Sequence, residues 1–217
     1  MNNGLKVSKT RRITYFAVLT AITVILQLFA NAIPVGLASL NFSLIPIVVA
    51  GMLLGVWYGT ALGAVSGIIT TIQVVSGNGG LFSIMFMQAP VMIILICMLK
   101  ITLAAFIGAF VFKVVRNKLI ATFIASALVP TVNTLVFFLG MLILSGQLPS
   151  AAAEFGVSVG DNVLVYILEG LVGFNYFIEL GINLILAPAV YRVIRVADKS
   201  FNSQRTENTD NAEDKGE

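Results

Sequence analysis

Apolar positions in this chain gather into long runs rather than alternating with polar ones. The runs Ile13 to Ile33, Trp57 to Val75, Ala89 to Phe112, Leu119 to Leu144 and Gly173 to Ile194 each approach or exceed the roughly 20 residues that a helix needs to cross a bilayer. A further run, Phe42 to Leu54, is short and carries Pro46; it reads as a tilted span or one that starts as an irregular segment buried in protein. The pattern predicts an all-α integral membrane protein with six transmembrane helices. Residues 1–12 precede the membrane domain, 13–196 form it, and 197–217 turn polar and mixed in charge, which reads as a disordered tail.

Charge gives the spans an orientation. Twelve of the 13 Lys and Arg residues fall at the N-terminus (Lys6, Lys9, Arg11, Arg12), in one loop (Lys113, Arg116, Lys118) or from Arg192 to Lys215. Cytoplasmic loops collect these residues, so the three clusters share one side and both termini are expected in the cytoplasm. The loop Ser145 to Val172 holds Glu154, Asp161 and Glu169 instead, as suits the outer face. Lys-Thr-Arg-Arg, an apolar stretch and Ala30-Asn31-Ala32 imitate a cleavable leader. The stretch Ile13 to Phe29 is longer than a leader core, and it reads as a retained first span.

Composition removes several function classes. A mean hydropathy of +0.98 with 58% hydrophobic and 11% charged residues lies outside the soluble range. The net charge of +3 comes from residues flanking the spans, where they suit an anionic leaflet, so no nucleic-acid partner is expected. The chain has no histidine and one cysteine, Cys97. That removes the HExxH motif, the usual nucleophile–His pairs and any CxxC site; no catalytic residue, metal or cofactor is expected. There is also no GxxxxGK[ST] segment for ATP hydrolysis.

Against this apolar background individual polar residues gain weight. Lys100 interrupts an apolar run, where a lysine costs roughly 2.5 to 3.5 kcal/mol even on the lenient insertion scale, so it requires a partner or an anionic ligand. Asn175, Glu179 and Asn183 recur every fourth residue in the last span and form one stripe. Lys100 and Glu179 differ in depth by about 7 Å at 1.5 Å per residue, a gap that a lysine stem spans by snorkelling. Two readings follow: a structural ion pair, or a site for a polar, anionic solute. Gln27, Asn31, Gln73 and Gln88 fall in the outer half and Asn133 nearer the middle. Together they suggest a polar cavity opening outward, lined by Lys100, Asn133, Asn175, Glu179, Asn183, Gln73 and Gln88, with Pro34 to Asn41 and Ser76 to Gln88 as lids.

Small residues carry a second signal. Glycine recurs at 51, 55, 59, 63 and 67, which reads as close helix packing. Ala17 and Ala21 share a face of the first span; their spacing leaves packing within the bundle and contact with a partner helix equally open.

These residues resemble a known family. The stretch Leu44-Ile45-Pro46-Ile47-Val48-Val49-Ala50-Gly51-Met52-Leu53-Leu54-Gly55, followed by Gly59 and Gly63, is similar to the substrate-binding (S) components of energy-coupling factor (ECF) vitamin transporters. So are the Ala17/Ala21 pair, Asn133-Thr134 and the Asn175 to Pro188 pattern. The resemblance covers 13–196. It implies a vitamin pocket near the outer face, and a transmembrane scaffold (T) subunit and two cytoplasmic ATPases as partners. It also implies that Ala17 and Ala21 meet the scaffold and that the chain sits in a bacterial plasma membrane. Ser66 to Gln73 lacks the acidic residue of folate and riboflavin types. Lys100 stands where pantothenate-like members carry a basic residue, which leans the expectation to pantothenate. The alternatives are another vitamin, such as folate, riboflavin or pyridoxine, or a solitary carrier in which Glu179 takes a proton beside Lys100.

Overall fold

The computed structural model describes the backbone of residues 9–31, 34–35, 38–39, 41–160 and 162–213, and the side chains of 10–29, 41–160 and 162–197. The chain forms α1 (Lys9–Asn31), a two-residue antiparallel pair β1 (Pro34–Val35) and β2 (Ala38–Ser39), then α2 (Leu44–Leu53), α3 (Val56–Val75) and α4 (Leu81–Gln88). There follow α5 (Pro90–Val114), α6 (Lys118–Ile143), α7 (Leu148–Ala153) and α8 (Val163–Val165), then a π-helical stretch Tyr166–Gly173 that runs straight into α9 (Phe174–Glu213). Among the described residues five helical bodies are long and apolar enough to cross a membrane: α1, α3, α5, α6 and the one spanning Val163–Ala197. The protein is therefore an all-α membrane protein.

The second predicted span is different in kind. α2 has ten residues, a rise of about 15 Å, half the hydrocarbon thickness. It packs against α1, α3, α5, α6 and α9, and eight of its residues are buried, Leu44 and Ala50 completely. Helix with no lipid face is what an unbroken apolar run produces when protein surrounds it. Gly55, at φ 108°, makes the sharp turn into α3 that a side chain would oppose.

The glycine series explains how α2, α3 and α5 come so close. A Cβ on Gly63 would stand 2.7 Å from Ala105 Cβ, one on Gly67 3.1 Å from Met98 Cα, and one on Gly51 2.6 Å from Ala109 Cβ. The close-packing expectation holds for these positions.

Two predicted loops contain helix. Ser76 to Gln88, expected as a lid, includes α4, whose Leu81 and Met85 are buried in a cluster with Ile93, Cys97 and Leu148. Ser83 Oγ accepts from Gly79 N (2.8 Å) and donates to the Val74 carbonyl (2.8 Å), pinning α4 to the end of α3. The last span begins at Val163 rather than Gly173, so Glu169 lies on the π-helical stretch and not in a loop. Asn162 caps this body by accepting from Leu164 N and Val165 N. The proposed lid Pro34 to Asn41 is described as the β1–β2 pair and Asn41, its other residues lying outside the described ones, and α9 runs on as helix through Glu213, across the segment expected as tail.

Candidate functional site

Lys100 sits on α5, half-buried, with Nζ 5.2 Å from the ring centroid of Phe82 on α4 and 5.6 Å from that of Phe137 on α6. The two rings meet edge to face, 5.4 Å apart at 75°. A cation–π contact is worth about 0.5 to 2 kcal/mol, so two together are of the same size as the insertion cost. That accounts for how an unpaired ammonium is held. Ring faces leave its N–H groups without oxygen acceptors, and among the described residues no oxygen accepts from Nζ.

Glu179, 7% exposed on α9, is not the ion-pair partner of Lys100. Its Oε1 accepts from the backbone N–H of Asn41 at 2.8 Å. Among the described residues Lys100 acts on the same carboxylate only through its charge, without an ion pair. The structural ion pair weighed above is thus not formed, and with it goes the pairing that a proton-carrier reading needs.

The stripe on α9 divides by function. Asn183 Nδ2 donates to its own helix at the Glu179 carbonyl (2.8 Å). Asn175 Nδ2 donates to the Leu171 carbonyl at 3.4 Å, while its Oδ1 is buried with no partner among the described residues. The same holds for Oδ1 of Asn133, a residue 5% exposed. Buried polar atoms are normally satisfied, so these two orphans are significant.

Sequence reasoning missed a second polar system. Gln27 on α1, 5% exposed, donates from Nε2 to the Ser66 carbonyl (3.2 Å) and to Thr70 Oγ1, and its Oε1 accepts from Ser66 Oγ. Ser66 Oγ lies 3.0 Å from Ser43 Oγ, which donates to Asn41 Oδ1. Asn41 N then reaches Glu179. This chain ties α1 to α9 through α3 and the start of α2. Gln73 joins it, reaching the Gln27 carbonyl at 3.4 Å, and not the Lys100 cluster. Gln88 is exposed and bonds Ser150 at the start of α7. A signal existed for Gln27, an amide inside a span; none existed for Ser43 or Ser66, because serine satisfies itself on a helix in most contexts.

Ala17 and Ala21 are exposed on α1 beside Ile13, Val18, Ile22 and Ile25. Thr23 and Gln27 face inward instead. Among the described residues neither alanine is packed inside the bundle.

With this geometry in place, comparison with known families becomes informative. A model described as the ECF transporter substrate-specific component matches residues 11–191. The chain belongs to that family. A search among curated proteins returns no match. As an S component it is the substrate-binding part of an ECF importer, a multi-pass membrane protein whose family works with a transmembrane T subunit and ATPases. The match spans α1 to the membrane part of α9 and so includes both polar systems.

Proposed function

We propose that this S component binds a carboxylate-bearing vitamin, pantothenate first among them, in the region bounded by α4, α5, α6 and α9. Lys100 receives the carboxylate, and Asn133 and Asn175 contact the rest of the molecule. The observation that carries this reading is the half-buried ammonium held by two rings, with no oxygen acceptor beside it among the described residues. An anion supplies the hydrogen-bond acceptors that rings cannot. The charge clusters orient the site toward the outer face of a bacterial plasma membrane, with the exposed Ala17/Ala21 face of α1 docking the scaffold. Two ATPases supply the energy that this chain has no motif to obtain.

Lys100→Met tests the assignment, since it keeps the stem and removes the charge. Affinity for pantothenate should fall by about 1.5 to 3 kcal/mol, the range for a hydrogen bond to a charged group, or roughly 10- to 150-fold. Unchanged affinity for every acidic vitamin, in a protein that remains folded, overturns it.

A further inference from the structure

We infer that Gly173 is a positioning residue of the substrate site: by admitting the π-helical stretch Tyr166–Gly173, it keeps the start of the last span in phase with the polar stripe that follows. The inference rests on the anionic-substrate reading and adds to it a residue that touches no substrate. Along this span Ile167, Leu171, Glu179, Asn183 and Ala187 are buried, with Asn175 half-buried among them. All are separated by steps of four. In an α-helix each step of four passes a full turn by about 40°, so the five steps from Ile167 to Ala187 would drift by about 200° and leave the face. After Ala187 the chain corrects this drift with a step of three, to Val190. At the start of the span no such step occurs, and the π-helical stretch stands in its place. Its i→i+5 bonds put more than four residues in a turn, so steps of four fall short there and offset the drift.

Gly173 is what allows this geometry. A Cβ there would stand 2.9 Å from the carbonyl oxygen of Leu168, five residues back, and a backbone atom cannot swing aside. Gly170 differs, since a Cβ there would meet only the Tyr166 ring, at 3.4 Å. Neither glycine has a positive φ, so it is contact alone that opposes alanine at 173. The phase matters because of what the face supports. Ile167 and Leu171 are buried in the cluster that holds Leu81, Met85 and Leu148, and Phe82 and Phe137 pack against that cluster. These are the rings that steady the Lys100 ammonium. One face of the span thus backs the two rings at its start and carries Asn175 and Glu179 further on. An α-helical start would turn Ile167 and Leu171 away from the cluster, or the stripe away from the bundle.

The experiment uses the purified full chain in nanodiscs and two readouts. Calorimetric titration with pantothenate reports the site. The rate at which N-ethylmaleimide labels Ile167→Cys, in a Cys97→Ala background, reports the phase without any ligand. Gly173→Ala should weaken pantothenate at least about fivefold, the equivalent of one hydrogen bond misplaced, and should speed labelling of the buried position. Gly170→Ala raises helix propensity by the same amount and should change neither readout. Deleting the exposed Glu169 takes out one residue, about 100° of α-helical turn, so that an α-helix can nearly keep the phase without a π-helical stretch. In that background Gly173→Ala should have no effect on either readout, a rescue that a merely destabilised helix would not show. Affinity and labelling unchanged in Gly173→Ala overturn the inference. So do equal losses in Gly170→Ala, and so does failure of the deletion to rescue. If the unaltered chain does not bind pantothenate, the anionic-substrate reading falls, and the labelling rates alone decide the role of Gly173.

Discussion

On the α1–α3 side Gln27 finds partners for both ends of its amide, in Ser66 and Thr70. On the α5–α6–α9 side Asn133 is equally buried, at 5% exposure, yet one end of its amide has no partner among the described residues. Burial alone would rank the two residues together; the count of partners separates them. A polar group inside a span that is fully paired holds helices together, and the unpaired Oδ1 of Asn133 is the kind of group that the proposed function assigns to a ligand. Lys100 extends the contrast, since rings steady its charge without consuming its hydrogen bonds.

The largest expected effect concerns the one surface that belongs to neither region. Ala17→Trp with Ala21→Trp places two indoles on the exposed face of α1 and should abolish uptake in cells with the complete importer, while pantothenate binding to the isolated chain stays near normal. Equal loss of both would mean that the face is not a partner surface.

The next test separates the two regions by stability. Because Lys100 and Glu179 do not pair, Lys100→Met should leave apo thermal stability unchanged or higher, as an apolar residue replaces a buried charge. Its effect should add to that of Glu179→Gln within about 0.5 kcal/mol in a double-mutant cycle. A coupling well above that figure would restore the ion pair and erase the distinction drawn here.

Ser66→Ala should behave in the opposite way. It removes the donor to Gln27 Oε1 and should lower stability by about 1 to 3 kcal/mol, the cost of a buried group left unsatisfied. Pantothenate affinity measured below the unfolding range should hardly move. A loss of affinity without loss of stability would place Ser66 in the binding site. The smallest effect is expected at Gln88, exposed and bonded only to Ser150: Gln88→Ala should change stability and affinity by less than about 0.5 kcal/mol.

Much of the architecture was legible in one dimension. Runs of apolar residues located four of the five long helices to within a few residues, because a backbone in lipid must satisfy itself and helix is the form that does so within one segment. The glycine spacing foretold the tight contact of α3 with α5. Errors came where length or periodicity misled. The run of α2, short already in the sequence, forms a ten-residue helix, and the acidic Glu154, Asp161 and Glu169 suited an outer loop where a π-helical stretch in fact leads into the last helix. α4 was concealed in a segment whose Gly77, Gly79 and Gly80 drew attention to the turn before it.

The candidate site divides in the same way. From the sequence alone came the residues too expensive to be incidental in a membrane, Lys100, Glu179 and the asparagines on their faces. That follows from the transfer cost of a single group, which needs no knowledge of neighbours. What each of them touches was decided by tertiary structure. Lys100 meets Phe82 and Phe137 from two other helices, and Glu179 meets the backbone of Asn41, 138 residues away in the chain. Helical periodicity tells which residues share a face, but not which face of which helix lies opposite. That depends on how closely α2, α3 and α5 pack and on the turn at Gly55. Hence the groups that need partners could be read from the chain, while only the folded molecule distinguished those already satisfied from those left open.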